Sequence, residues 1–61
     1  MKLLVFNKKL KAYDILDVFE EKIHDFIRQV RSEGLFCRKI SNERKVKEIF
    51  EKRGYEREKY Y

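Results

Sequence analysis

No proline interrupts this 61-residue chain, and it holds only two glycines, one cysteine and one histidine. A single cysteine, Cys37, excludes an intrachain disulfide and a thiolate zinc cluster, so the expected compartment is the cytoplasm. Glycines as scarce as Gly34 and Gly54 exclude the GxGxxG and Walker loops that cradle phosphates. Long apolar runs are absent too. Met1-Lys2-Leu3-Leu4-Val5-Phe6 opens as a secretory leader does, but Asn7-Lys8-Lys9 breaks it far short of an h-region, and no later stretch is fit to span a bilayer. With no linker or low-complexity tract, residues 1–61 are expected to form one domain with no membrane partner. A chain this short hides only about 60% of its unfolded surface, so it depends on good packing or on a partner.

What the chain has in quantity is charge. Lys and Arg number 16 against 11 Asp and Glu, a net +5, and charged residues make up 44% of the sequence, against roughly 25% in ordinary domains. Such a balance favours nucleic acid or an acidic protein surface as partner. Hydrophobic residues at 43% and aromatics at 15% still provide a core, which argues against disorder throughout.

Both glycines end an amphipathic run and are followed by an apolar residue, in Val30-Arg31-Ser32-Glu33-Gly34-Leu35 and Phe50-Glu51-Lys52-Arg53-Gly54-Tyr55. A helix commonly stops at a left-handed glycine, with the next residue packed back on the C3 side chain. Leu35 on Val30 and Tyr55 on Phe50 have that offset. Upstream of the first stop, Ile15, Leu16, Phe19, Ile23, Phe26, Ile27 and Val30 form one helical stripe. The expectation is therefore a helix over residues 15–33, with Asp14 as N-cap, Asp17 at N3, and Tyr13 and Val18 as a hydrophobic staple. A second helix, over residues 43–53 and half as long, is capped by Ser41 or Asn42. Its apolar face is Val46, Ile49 and Phe50, and its charges alternate at i,i+4.

Leu3-Leu4-Val5-Phe6 reads as a strand buried on both faces, and residues 35–40 as a second strand. Residues 55–61 read as a charged edge strand. Leu10-Lys11-Ala12-Tyr13 is ambiguous between a hairpin arm and a lead-in to the helix. The order β-α-β-α-β predicts an α/β fold, or a small α+β one, with two helices, one long and one short, and a three- or four-stranded sheet. Right-handed crossovers give parallel strands in spatial order 2-1-3, with one helix on each face. The alternative keeps Lys2–Phe6 and Leu10–Tyr13 as an antiparallel hairpin in a mixed sheet, with both helices on one side.

Nothing in the chain assembles a nucleophile with a base and an orienting group. His24, beside Glu20 and Arg28, reads as a solvated boundary residue, and Cys37 as a small thiol packed in a strand. No enzyme activity, cofactor, metal or small-molecule substrate is expected. The candidate nucleic-acid-binding residues are Lys8, Lys9, Lys11, Arg38, Lys39, Arg44, Lys45 and Lys47. In the 2-1-3 arrangement the turn after the first strand and the end of the second share one sheet edge. The two cation clusters would then converge on the second helix's start, the one helix start here without an acid in its cap. The competing expectation is a protein-binding regulator, by an analogy of size and charge with phage- and plasmid-type host-directed proteins. It would act through Phe36, Tyr55, Arg57, Tyr60 and Tyr61, with strand addition at a Tyr-rich edge that also offers a homodimer.

Overall fold

Leu3, Leu4 and Val5 are almost wholly removed from solvent, and a strand hidden on both faces must lie inside its sheet with cover above and below. The computed structural model, which describes residues 1–59, places them on the central strand. The order of elements is β1 (Lys2–Asn7), β2 (Ala12–Asp17), a 3₁₀ turn (Glu20–Lys22), α1 (Ile23–Ser32), β3 (Phe36–Ile40), α2 (Glu43–Lys52) and β4 (Glu56–Arg57). The sheet order is β3-β1-β2-β4. β1 pairs antiparallel with both β2 and β3, and β4 lies parallel to β2. This is a small α+β fold with a mixed four-stranded sheet and two helices, within the expected class.

Three expectations about its wiring are corrected. The strand arrangement is not the parallel 2-1-3 but contains the antiparallel hairpin, with β2 pairing along the whole of β1 from Lys2 opposite Asp17 to Asn7 opposite Ala12. The helix expected over residues 15–33 begins at Ile23, and residues 12–17 are a strand. The two helices are each ten residues long rather than one twice the other. The physical reason lies in Tyr13-Asp14-Ile15-Leu16, which is buried on both sides of the sheet and so does not alternate cleanly. Its apolar positions fit a helical stripe as well as a two-faced strand. The hairpin also lacks a glycine at its turn. The Asn7 carboxamide accepts from the backbone N–H groups of Lys9 and Leu10 at 2.9 and 3.2 Å, and Lys11 takes the left-handed conformation at φ 50°. An Asx-type turn of this kind has no Asn-Gly signature to read.

Asp14, expected to cap a helix, is instead buried in β2. Its Oδ1 accepts from the Ile15 backbone N–H at 2.8 Å and from Arg57 Nε at 3.2 Å. Tyr13 and Val18 do not form a staple, since Tyr13 is fully buried under α2 and Phe19 lies outside α1, 74% exposed.

The helices cover opposite faces. Leu4, Tyr13 and Ile15 pack with Val46 and Phe50 of α2, while Val5 packs with Val30 and Phe26 of α1. Adjacent strand residues point to opposite sides, so Leu4 and Val5 divide the sheet between them. Both glycine stops are as expected. Gly34 and Gly54 have φ of 81° and 85°. Leu35 N donates to Val30 O and Gly34 N to Arg31 O; Tyr55 N donates to Phe50 O and Gly54 N to Glu51 O. These are the paired bonds of the Schellman stop. Asn42 is the cap of α2, its side chain accepting from Lys45 N at 3.1 Å. Tyr60 and Tyr61 lie outside the described residues. Among the described residues, no helix is long and apolar enough to cross a membrane.

Candidate functional site

Because β3 runs antiparallel to β1, Phe36 stands opposite Phe6 and Ile40 opposite Lys2. The convergence expected of the cations is therefore corrected. The hairpin lysines Lys8, Lys9 and Lys11 sit at the Phe36 end of β3, and the start of α2 follows Ile40 at the other end. Four strand steps separate those ends, about 13 Å at 3.3 Å per residue. Nor is the start of α2 an open anion site. Glu43 occupies its first turn and accepts from Lys2 Nζ at 2.8 Å, with Arg57 Nη2 at 3.8 Å. That hydrogen bond and charge hold the Glu43 carboxyl below its usual range and the Lys2 ammonium above its own. Arg44, Lys45 and Lys47 project from α2 as exposed side chains.

A different grouping emerges. Between β3 and α2 runs a groove of about 590 Å³ whose charged lining residues are Lys8, Arg38, Lys39 and Arg53, with no carboxylate among the described residues that line it. Three of these were expected as a binding surface. Arg53 was not. It stands four residues after Ile49, which puts both on one side of α2, and that spacing was its only mark in the sequence.

The groove is built on aromatic rings. Phe6 and Phe36 stack at 5.2 Å between centroids with 19° between their planes. Phe50 meets Phe6 edge-on at 5.1 Å, and Tyr55 meets Phe50 at 4.9 Å. Gly54 delivers Tyr55 into this cluster by the sharp stop of α2. Phe36 keeps 48% of its surface in solvent and Ile49 40%, and Lys8 Nζ lies 4.8 Å over the Phe36 ring. The groove follows β3, which is an edge strand, so alternate residues of β3 aim their N–H and C=O groups away from β1.

The residues expected to make a tyrosine edge are dispersed. Tyr55 is half-buried in the ring cluster. Arg57 bridges Asp14 and Glu43 on the opposite edge, and Phe36 belongs to the β3 groove. His24 is exposed on α1. Cys37 is half-buried under α1, and burial pushes its thiol above the ordinary range. No group of three or more His, Cys, Asp or Glu side chains among the described residues is arranged to hold a metal ion.

The chain matches no protein-family model, no curated protein and no solved structure.

Proposed function

We propose that this chain is a small non-catalytic binding module of regulatory type, and that the groove between β3 and α2 takes nucleic acid. The observation that carries the reading is the lining itself, with Lys8, Arg38 and Arg53 gathered around aromatic rings, Lys39 at the β3 edge, and no acid among the described residues there. Cations clustered on one surface attract phosphate at long range, and a polyanion held by several of them releases its counterions. A second copy of the chain suits the β3 edge poorly. Full antiparallel pairing of two β3 strands sets Arg38 against Arg38 and Cys37 against Lys39, and like charges directly opposite are destabilising.

An acidic protein segment adding to the open β3 edge is the competing occupant, and charge alone suits it as well. The exposed apolar lining favours nucleic acid. It consists of Phe36 and Ile49, which offers a flat ring rather than a row of pockets for alternate side chains.

The test is fluorescence anisotropy of a labelled oligonucleotide of about 12 nucleotides, a length suited to a small basic module. Engagement of Lys8, Arg38 and Arg53 should cost about twenty- to fortyfold in affinity between about 50 and 200 mM salt. Reversing Arg38 and Arg53 to Glu together should abolish binding. Reversing Arg28 and Lys52, which are exposed elsewhere and change the net charge equally, should weaken it only a few-fold. Equal losses from the two pairs would assign the attraction to net charge and sink the groove. Tighter capture of a Glu-rich peptide than of any oligonucleotide would transfer the groove to a protein partner.

A further inference from the structure

Resting on the reading of this groove as a nucleic-acid site, we infer that it takes a single strand and stacks one unpaired base on Phe36. The position of the ring carries the inference. A duplex keeps its bases stacked inward and presents phosphates, so it has no use for an apolar ring set between a strand and a helix. Phe36 leaves nearly half its surface open in that setting, 48% by exposure. It is also a prepared platform. Its partner Phe6 lies nearly parallel beneath it, and Phe6 is met edge-on by Phe50 and by Tyr55 at 5.1 and 6.2 Å. A ring held this way loses little freedom when a base settles on it, which is what makes preorganisation favourable.

The charges around Phe36 fit the same occupant. Lys8 Nζ rests over the ring at 4.8 Å, where a cation is attracted by the π face. A base taking that place displaces the ammonium, which remains within reach of the adjoining phosphate because Lys8 is exposed at the hairpin turn. Arg38, two residues on and so on the same face of β3 as Phe36, then meets the next stretch of backbone. The outward N–H and C=O groups of this edge strand offer donors and acceptors to Watson–Crick base edges, which only an unpaired strand exposes. A broad convex cation stripe would instead have favoured a duplex, and the hairpin and α2 clusters do not join into one.

The experiment compares a single-stranded oligothymidine with a blunt duplex of equal length, using the intact chain, Phe36→Ala and Phe36→Trp. The single strand should bind at least about tenfold tighter than the duplex at moderate salt, stacking being the added contact. Phe36→Ala should weaken single-strand binding by about five- to a hundred-and-fiftyfold, the range for losing one base–aromatic stack. Its salt slope should stay unchanged, because no cation is lost. Phe36→Trp should restore binding, and its indole emission should be quenched by oligothymidine and not by the duplex. Because Phe36→Trp keeps a ring on Phe6, it separates loss of stacking from loss of fold. Duplex bound as tightly as single strand, with Phe36→Ala neutral, would overturn the single-strand inference while leaving the nucleic-acid reading in place. Absence of binding to either oligonucleotide would end both.

Discussion

On the α1 side of the sheet, Val5 and Val30 are fully buried and Leu35 nearly so. On the α2 side the sheet residues Leu4, Tyr13 and Ile15 are equally well hidden, but α2 itself contributes no fully buried side chain. α1 contributes Ile23 and Val30. The difference follows from side-chain shape. Branched aliphatic groups interdigitate to crystal-like density, whereas rings meeting edge-on at about 5–6 Å leave space at their margins. The aliphatic face closes and secures the fold. The aromatic face stays ajar along β3, and the cations line its opening. One sheet thus carries a sealed face and an open one, set by the kind of residue each helix lays on it.

The largest effect should come from the closed face. Val30→Ala removes a fully buried side chain and should destabilise by about 2 kcal/mol through lost transfer energy and the cavity left behind. Val46→Ala, on the half-buried face of α2, should cost about 1 kcal/mol, because less area returns to water. Urea unfolding of the two variants measures both. Equal losses would mean that α2 is as tightly docked as α1, and the contrast between the faces would disappear.

The glycine stops come next. Gly34 and Gly54 both have positive φ, and a Cβ at either meets no atom within 4 Å, so substitution acts through backbone strain alone. Gly34→Ala and Gly54→Ala should each cost about 1 kcal/mol. They should differ in function. Gly54 aims Tyr55 at Phe50, so its replacement should also weaken groove binding, while Gly34→Ala should leave affinity unchanged. Identical binding by both variants would detach Tyr55 from the site.

These stops were legible in the sequence because the left-handed requirement at Gly34 and Gly54 is local, needing only the glycine and its neighbour. The central place of β1 was legible from the unbroken apolar run Leu3–Phe6. β2 was legible only as an alternative, a hairpin arm over Leu10–Tyr13, since Asn7 and Lys11 turn the chain without glycine, and Tyr13-Asp14-Ile15-Leu16 satisfies both periods. The candidate site was half legible for a related reason. Lys8, Arg38 and Lys39 were identified by charge alone. Which cations share a surface depends on the direction of β3, and that direction was set by the hairpin, which the sequence offered only as the alternative. The antiparallel course of β3 carried Ile40 away from Lys8 and brought Phe36 to it, and it left Arg53 of the α2 stop to complete the lining.

The smallest effect at neutral pH should belong to Tyr13→Phe, and it becomes visible only in alkali. The Tyr13 hydroxyl donates to Glu51 Oε1 at 3.5 Å, a bond too long to contribute much, so at pH 7 the variant should match the parent within about 0.5 kcal/mol. Burial, reinforced by the Glu51 carboxylate and opposed by Arg57, raises the phenol above its ordinary value of 10.0. A group that holds its proton more firmly when folded contributes stability that is complete below the unfolded value and is lost as pH rises through the folded one. Unfolding midpoints of the parent should therefore fall above pH 10.0, and Tyr13→Phe should flatten that decline. Cys37, under the aliphatic face, is also raised by burial, with Arg31 opposing, from an ordinary 9.0. Its contribution has the same sign and begins to be lost at lower pH. Cys37→Ala should remove this earlier part of the decline and Tyr13→Phe the later part, so that the alkaline limb divides between the two faces. A decline in Tyr13→Phe that runs parallel to the parent above pH 10.0 would show that the phenol is not sealed beneath α2, and the aromatic face would then be more open than its rings imply.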